Sequence, residues 1–165
     1  MARRKASRAV FERTPEGFVV NLAHEETDLI TSLVAELRGL LLADDPRTEA
    51  ITRRLFPPAY HLADDADANS EYQRLMREEL VASRLAAMQQ VDDALSAGLP
   101  LDDGAMHGLL QSLNAVRLVL GTLLDVGEDH DSRDVEDHDP MVGEYYLYEF
   151  LSHLLDAAVQ AISAR

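Results

Sequence analysis

Cysteine is absent from the 165-residue chain. That excludes disulfides, thiolate nucleophiles, Cys-ligated zinc and iron–sulfur clusters, and with them any sensing by thiol oxidation. Long apolar runs are missing too: none approaches the roughly 20 residues of a membrane-crossing helix. The opening Met1-Ala2-Arg3-Arg4-Lys5 leads into polar residues rather than an apolar signal core, so a cytoplasmic protein with no membrane association is expected. Aromatic residues are scarce, 5% against 47% hydrophobic overall. Leu and Ala supply the apolar content rather than β-branched residues, which favours helix over sheet. Basic residues are few, 15 Lys and Arg against 30 Asp and Glu, for a net charge of −15. Arg3, Arg4, Lys5, Arg8 and Arg13 against Glu12 give the first thirteen residues +4, leaving −19 on residues 14–165. A body so acidic repels phosphate backbones and suits basic protein surfaces.

What remains reads as a mainly α protein, a bundle of four main helices plus one short helix, preceded by an N-terminal β-hairpin. The length fits one domain with one core, here residues 9–165 after a basic tail at 1–8. Val10 to Arg13, the turn Thr14-Pro15-Glu16-Gly17, and Phe18 to Leu22 alternate as strand, turn, strand, placing the hairpin at about 9–22. A lone hairpin is marginal in water, so its apolar face has to pack on the helices or on another chain. Helices are expected at about 25–42, 46–55, 70–97, 102–125 and 140–163. The first carries Leu29, Ile30, Leu33, Leu37, Leu40 and Leu41 on one face. Asp45 and Pro46 open the second as N-cap and first helical residue, and Pro57-Pro58 stops it. The third, closed by Gly98, has the stripe Leu80, Arg84, Ala87, Val91, Leu95. Asp102 caps the fourth, which turns Leu109, Leu110, Leu113, Val116, Leu120 and Leu124 inward and has Gly127 just past its end. Asp139-Pro140 caps the fifth, which buries Leu147, Phe150, Leu151, Leu154, Leu155, Ala158 and Ile162. Between them, residues 128–139 hold seven carboxylates and little to bury, a solvated acidic loop.

No motif gives this chain a chemistry. A di-iron bundle needs two Glu-x-x-His pairs on facing helices; here Glu149 and His153 are one pair, four apart. His24-Glu25 lacks the second His of a zinc protease, and the loop's Asp129, His130, Asp131, Asp134, Asp137 and His138 lack the Gly and terminal Glu of a calcium site. There is no Gly-x-Ser-x-Gly and no Gly-rich phosphate loop. Catalytic, metal and cofactor residues are accordingly assigned to none, and His107 and His153 read as structural or surface side chains.

Three sets of residues stand out. Glu79, Arg84, Asn114, Arg117 and Glu149 are polar residues among core positions; a buried Arg requires a carboxylate and hydrogen bonds, so they form a candidate buried network joining the third and fourth helices, with Glu79 or Glu149 as the carboxylate. Tyr145, Tyr146 and Tyr148 cannot all point inward from one helix, and an exposed tyrosine is typical of an interface anchor. Arg3, Arg4, Lys5 and Arg8 form a weak candidate contact to nucleic acid, with no helix-turn-helix signature beside it.

Finally, Arg53-Arg54-Leu55-Phe56-Pro57-Pro58-Ala59-Tyr60, Asn114-Ala115-Val116-Arg117-Leu118-Val119-Leu120-Gly121 and Tyr145-Tyr146-Leu147-Tyr148-Glu149-Phe150-Leu151 make the chain, over roughly residues 9 to 163, resemble the AosR-like family of actinobacterial oxidative-stress regulators, a domain of unknown function. The resemblance implies a cytoplasmic transcriptional regulator of the oxidative-stress response, linked to cysteine supply. It also implies regulation through a cysteine pair, which this chain lacks, so this member either signals differently or is a constitutive partner. Two functional readings result: a non-enzymatic module, able to dimerise, that binds a protein partner such as part of the transcription machinery, or a bundle that binds a metal ion or small anionic ligand through the acidic loop or an Arg84/Arg117 pocket.

Overall fold

The computed structural model describes residues 8–43, 45–56, 66–126 and 138–164, except the side chains of 66, 68, 69, 73 and 74. In chain order its elements are β1 (Phe11–Thr14), β2 (Gly17–Val20), α1 (His24–Leu42), α2 (Pro46–Thr52), a 3-10 turn (Arg53–Leu55), α3 (Ala66–Ala97), α4 (Asp103–Leu123) and α5 (Val142–Ser163). This is the mainly α bundle with one short helix and an N-terminal hairpin that the sequence predicts. The basic tail through residue 7 and the acidic loop through residue 137 lie outside the described residues.

Helix α4 is the axis. It packs against α1, α2, the 3-10 turn, α3, α5 and β2, and its inward residues Met106, Leu109, Leu113, Val116, Val119 and Leu120 form the middle of one continuous core. An axis helix needs more than one apolar face, and Ala105, Gly108, Ser112 and Ala115 supply small buried positions between the leucines. Asp102 begins it as expected, its carboxylate accepting from the Ala105 amide at 2.7 Å. Asp45 does the same for α2 through the Arg47 amide at 2.8 Å, with Pro46 in the first turn. At the start of α1, Glu26 accepts from the Ala23 amide at 2.8 Å.

The hairpin docks on the bundle. β1 and β2 pair antiparallel with Phe11 opposite Val20 and Thr14 opposite Gly17, and Phe11 and Phe18 are buried in the core. Phe18 also exchanges both backbone hydrogen bonds with Leu101, each at 2.8 Å. The linker before α4 thus adds a one-residue third strand on the far side of β2. Gly17 permits this twice over: its φ of 127° suits only glycine, and a β-carbon there would collide with the Leu101 carbonyl.

Several boundaries and stripes differ from the sequence expectation. α3 starts at Ala66 rather than 70, and the last part of the expected second helix tightens into the 3-10 turn. α3 has 32 residues against 21 in α4, so its first turns lie beyond its main partner. Leu80, expected inward, and Leu75 are exposed, while Met88 and Val91 are the buried positions. In α1, Leu29 is exposed and Val34 takes the core position. Asp139 caps a turn, accepting from the Met141 amide at 2.8 Å, and α5 begins only at Val142. α4 ends without help from Gly127, which lies outside the described residues. Asp125 adopts a left-handed φ of 52°, the Val126 amide donates to Gly121 O at 2.9 Å and the Asp125 amide to Thr122 O at 3.4 Å, a Schellman stop with Asp in the usual glycine position.

Candidate functional site

The three segments singled out in the sequence meet around the C-terminal half of α4. α4 and α5 run antiparallel, and Arg117 reaches across: its Nε donates to Ser152 Oγ at 2.8 Å, and its guanidinium lies 4.9 Å from the centre of the Tyr148 ring. Ser152 in turn donates to the Tyr148 carbonyl at 2.9 Å. One turn further along α4, Gly121 leaves room for two neighbours. A β-carbon on it would sit 3.2 Å from Tyr148 Cε2 and 3.1 Å from Arg54 Nη1. Arg54 and Tyr145 then serve the end of α4. Arg54 donates to Val126 O at 3.2 Å, and the Tyr145 hydroxyl makes a long contact with Leu124 O at 3.5 Å. A guanidinium at a helix C-terminus meets the negative end of the macrodipole as well as an unpaired carbonyl.

The Arg53–Phe56 segment links this cluster to α3. Phe56 has Arg77 at 4.9 Å and Arg84 at 5.8 Å from its ring centre. These arginines are seven residues, about two turns, apart on one helix, so both lie on the face that meets the ring. Arg84 donates through Nη2 to Leu55 O at 3.3 Å, while its Nε is buried without a partner among the described residues. Burial pushes the Arg84 guanidinium below its ordinary range, yet an arginine stays charged. The cavity beside it, lined by Arg84, Met88, Gln111 and Ser112, has about 10 Å³, space for one water and not for a phosphate.

The expected network therefore does not exist as one unit. Glu79 is exposed on α3, and neither Arg84 nor Arg117 has a carboxylate within ion-pair distance among the described residues. Among the described residues Arg84 bonds the 3-10 turn and Arg117 bonds α5. Asn114 and Glu149 are half-buried on α4 and α5. Carbonyls, a hydroxyl and aromatic faces stand where a carboxylate is expected, because each of them also satisfies a guanidinium. The cross-helix ion pair lies elsewhere: Arg38 on α1 and Asp92 on α3 are 2.7 Å apart, with side chains 30% and 21% exposed. They are 54 residues apart in the chain, and the α1–α3 packing brings them together.

Of the tyrosines, Tyr145 and Tyr148 are half-buried and Tyr146 is 61% exposed. Arg8 is exposed and pairs with Glu12 at 3.4 Å, whereas Arg3, Arg4 and Lys5 lie outside the described residues. His107 Nδ1 is 2.6 Å from Asp103 O, a bond within its own helix, and His153 is exposed. Among the described residues no group of His, Asp and Glu is placed to hold a metal ion, and no helix is long and apolar enough to cross a membrane.

Fold and cluster together define an acidic helical protein whose signature side chains lock three elements around one helix end. The chain belongs to the family described as a domain of unknown function (DUF2017), whose model matches residues 4–162. No curated protein and no solved structure matches it.

Proposed function

We propose that the protein is a non-enzymatic, cytoplasmic regulatory module that binds a basic protein partner through its acidic body and the end where α4 meets α5. The observation that carries this reading is Tyr146, 61% exposed between two tyrosines whose rings are held, one by the end of α4 and the other by Arg117. A ring projecting from a fixed helical turn buries a large area at little cost in conformational freedom, which is why tyrosines serve as interface anchors. The net charge of −15 steers association toward positive surfaces. Arg54, Arg84 and Arg117 support the reading by what already occupies them: each bonds the protein's own carbonyl or hydroxyl groups, so they order the surface from beneath.

Resemblance to the AosR-like regulators makes part of the transcription machinery the partner and the oxidative-stress response, with its link to cysteine supply, the setting. Without thiols the signal reaches this protein through its partner or through its abundance. DNA contact is confined to the basic tail and is weak. Affinity capture from a native actinobacterial lysate tests the reading: wild-type protein retains a basic partner at physiological salt, and Tyr146→Ala loses it at unchanged melting temperature. Equal capture by both would remove Tyr146 as the anchor.

A further inference from the structure

We propose that the outward face of α4 is where a second copy of this chain docks, the two helices running antiparallel across a two-fold axis at Asn114. His107, Leu110, Asn114 and Leu118 recur at three- and four-residue spacing, which puts them on one side of α4. His107 is exposed and the other three are half-buried, although the rest of the helix is core. On α5 the row Ser152, Leu155, Val159 borders them, since Ser152 is where Arg117 crosses from α4; Val159 is 51% exposed. α3 borders them on the other side, where Ala87 meets Gly108 and shares a small cavity with Gln111, and Ala87 continues along α3 into the uncharged row Ser83, Gln90, Ala94. Three rows about 9 Å apart and about 30 Å long present roughly 550 Å² in projection. A standard interface takes about 800 Å² of accessible surface from each partner, and a ridged face has more accessible surface than its projection.

Charge identifies the occupant. The chain has 30 Asp and Glu in 165 residues, yet none stands in these three rows. By contrast α1 exposes Glu25, Asp28 and Glu36, α2 exposes Glu49, and other rows of α3 expose Glu78 and Asp93. A basic partner finds no carboxylate to meet on the outward face of α4, and a phosphate backbone is repelled by the acidic body around it. A second copy brings an equally uncharged face, so both can be dried without stranding a carboxylate, and −15 meets −15 only from the rim outward, where Asp156 is exposed.

Asn114 supports the two-fold axis. Among the described residues nothing hydrogen-bonds its side chain, and a carboxamide is both donor and acceptor, so two copies related through it satisfy each other. A single Asn in an apolar seam sets register in this way. Antiparallel order follows from Arg117: parallel helices would set it against its own copy, whereas antiparallel helices set it near Gln111 of the second copy. The dimer does not rest on the functional reading. Tyr146 and Leu155 are nine residues, about two and a half turns, apart, so Tyr146 lies on the opposite side of α5 and stays open to a partner.

The experiment is sedimentation of the full chain against concentration and salt. The expected result is a reversible dimer that strengthens as salt rises, because screening relieves the rim carboxylates, whereas binding of a basic partner weakens. Val159→Glu and Asn114→Asp each put a carboxylate in the seam and should raise the dimer Kd about tenfold or more with helical circular dichroism unchanged; Tyr146→Ala should leave it alone. Position is read separately. The chain has no cysteine, so Asn114→Cys supplies its one thiol, and under diamide it should form a disulfide-linked dimer because the two β-carbons meet at the axis, while Tyr146→Cys should not. A wild-type chain that stays monomeric up to about 0.1 mM, a dimer indifferent to Val159→Glu and Asn114→Asp, or one that salt dissociates would overturn the proposal. So would cross-linking through Tyr146→Cys in place of Asn114→Cys. A monomer that still captures a basic partner through Tyr146 would overturn the dimer and spare the functional reading, and a dimer that captures none would support the dimer and remove that reading.

Discussion

Arg54 and Tyr148, 94 residues apart in the chain, converge on Gly121: a β-carbon there would lie 3.1 Å from one and 3.2 Å from the other. The glycine is what lets the 3-10 turn and α5 close on α4 together. Gly121→Val should destabilise the protein by about 1–3 kcal/mol through overpacking, because the Tyr148 ring is held by Arg117 and has little freedom to retreat. Urea unfolding checks this, and a neutral result would mean that α5 shifts away easily.

Among the described residues Arg117 has a hydroxyl and a ring for partners, not a carboxylate, so its loss strands no buried charge there. Arg117→Met should cost about 1–2 kcal/mol, the size of one charge-assisted hydrogen bond with partial compensation from the retained apolar stem. The double-mutant cycle with Tyr148→Leu should give a coupling of about 0.5–1 kcal/mol. A single-mutant cost near that of a broken buried ion pair, about 3–5 kcal/mol, would place a carboxylate beside it after all.

Arg38 and Asp92 should behave in the opposite way. Among the described residues Asp92 Oδ1 is buried without a partner while Oδ2 holds Arg38, so each single substitution leaves an uncompensated group. Arg38→Met and Asp92→Leu should each destabilise, and the double variant should recover most of the loss. Additive losses in chemical denaturation would show that the two residues act independently.

Asp125 stands in a left-handed conformation at the C-terminus of α4, where both its β-carbon and its negative charge are unfavourable. Asp125→Gly should raise stability by about 1 kcal/mol, read as a higher melting temperature. A fall would reveal an interaction of its carboxylate that outweighs the backbone strain.

Much of this fold is written in local signals. Asp45-Pro46, Asp102 and the Thr14–Gly17 turn act through neighbours within three residues, and their bonds form where the sequence places them. The leucine period of α4 finds the axis helix for the same reason. The polar contacts were not legible in that way. Arg84 and Arg117 are recognisable as buried cations, but which carbonyl or ring each finds depends on how the 3-10 turn and α5 approach α4, information spread over dozens of residues. The expectation of a carboxylate partner overlooked that backbone oxygens and aromatic faces also satisfy a guanidinium. Arg38 and Asp92 illustrate the converse, since neither lies within an apolar stripe and only tertiary packing makes them a pair.

The absence of cysteine carries its own prediction. Diamide or peroxide should leave oligomeric state and partner binding unchanged apart from slow methionine oxidation, as followed by size-exclusion chromatography. A rapid change reversed by dithiothreitol would contradict it.

The most direct test of the central claim is partner binding by the chain lacking residues 1–8, compared with the same chain carrying Tyr146→Ala. The account predicts that the truncated protein keeps its basic protein partner at physiological salt, that Tyr146→Ala weakens binding by about tenfold or more, and that any DNA retardation vanishes with the tail. Tight, sequence-selective DNA binding by the truncated protein, or partner binding indifferent to Tyr146, would contradict it.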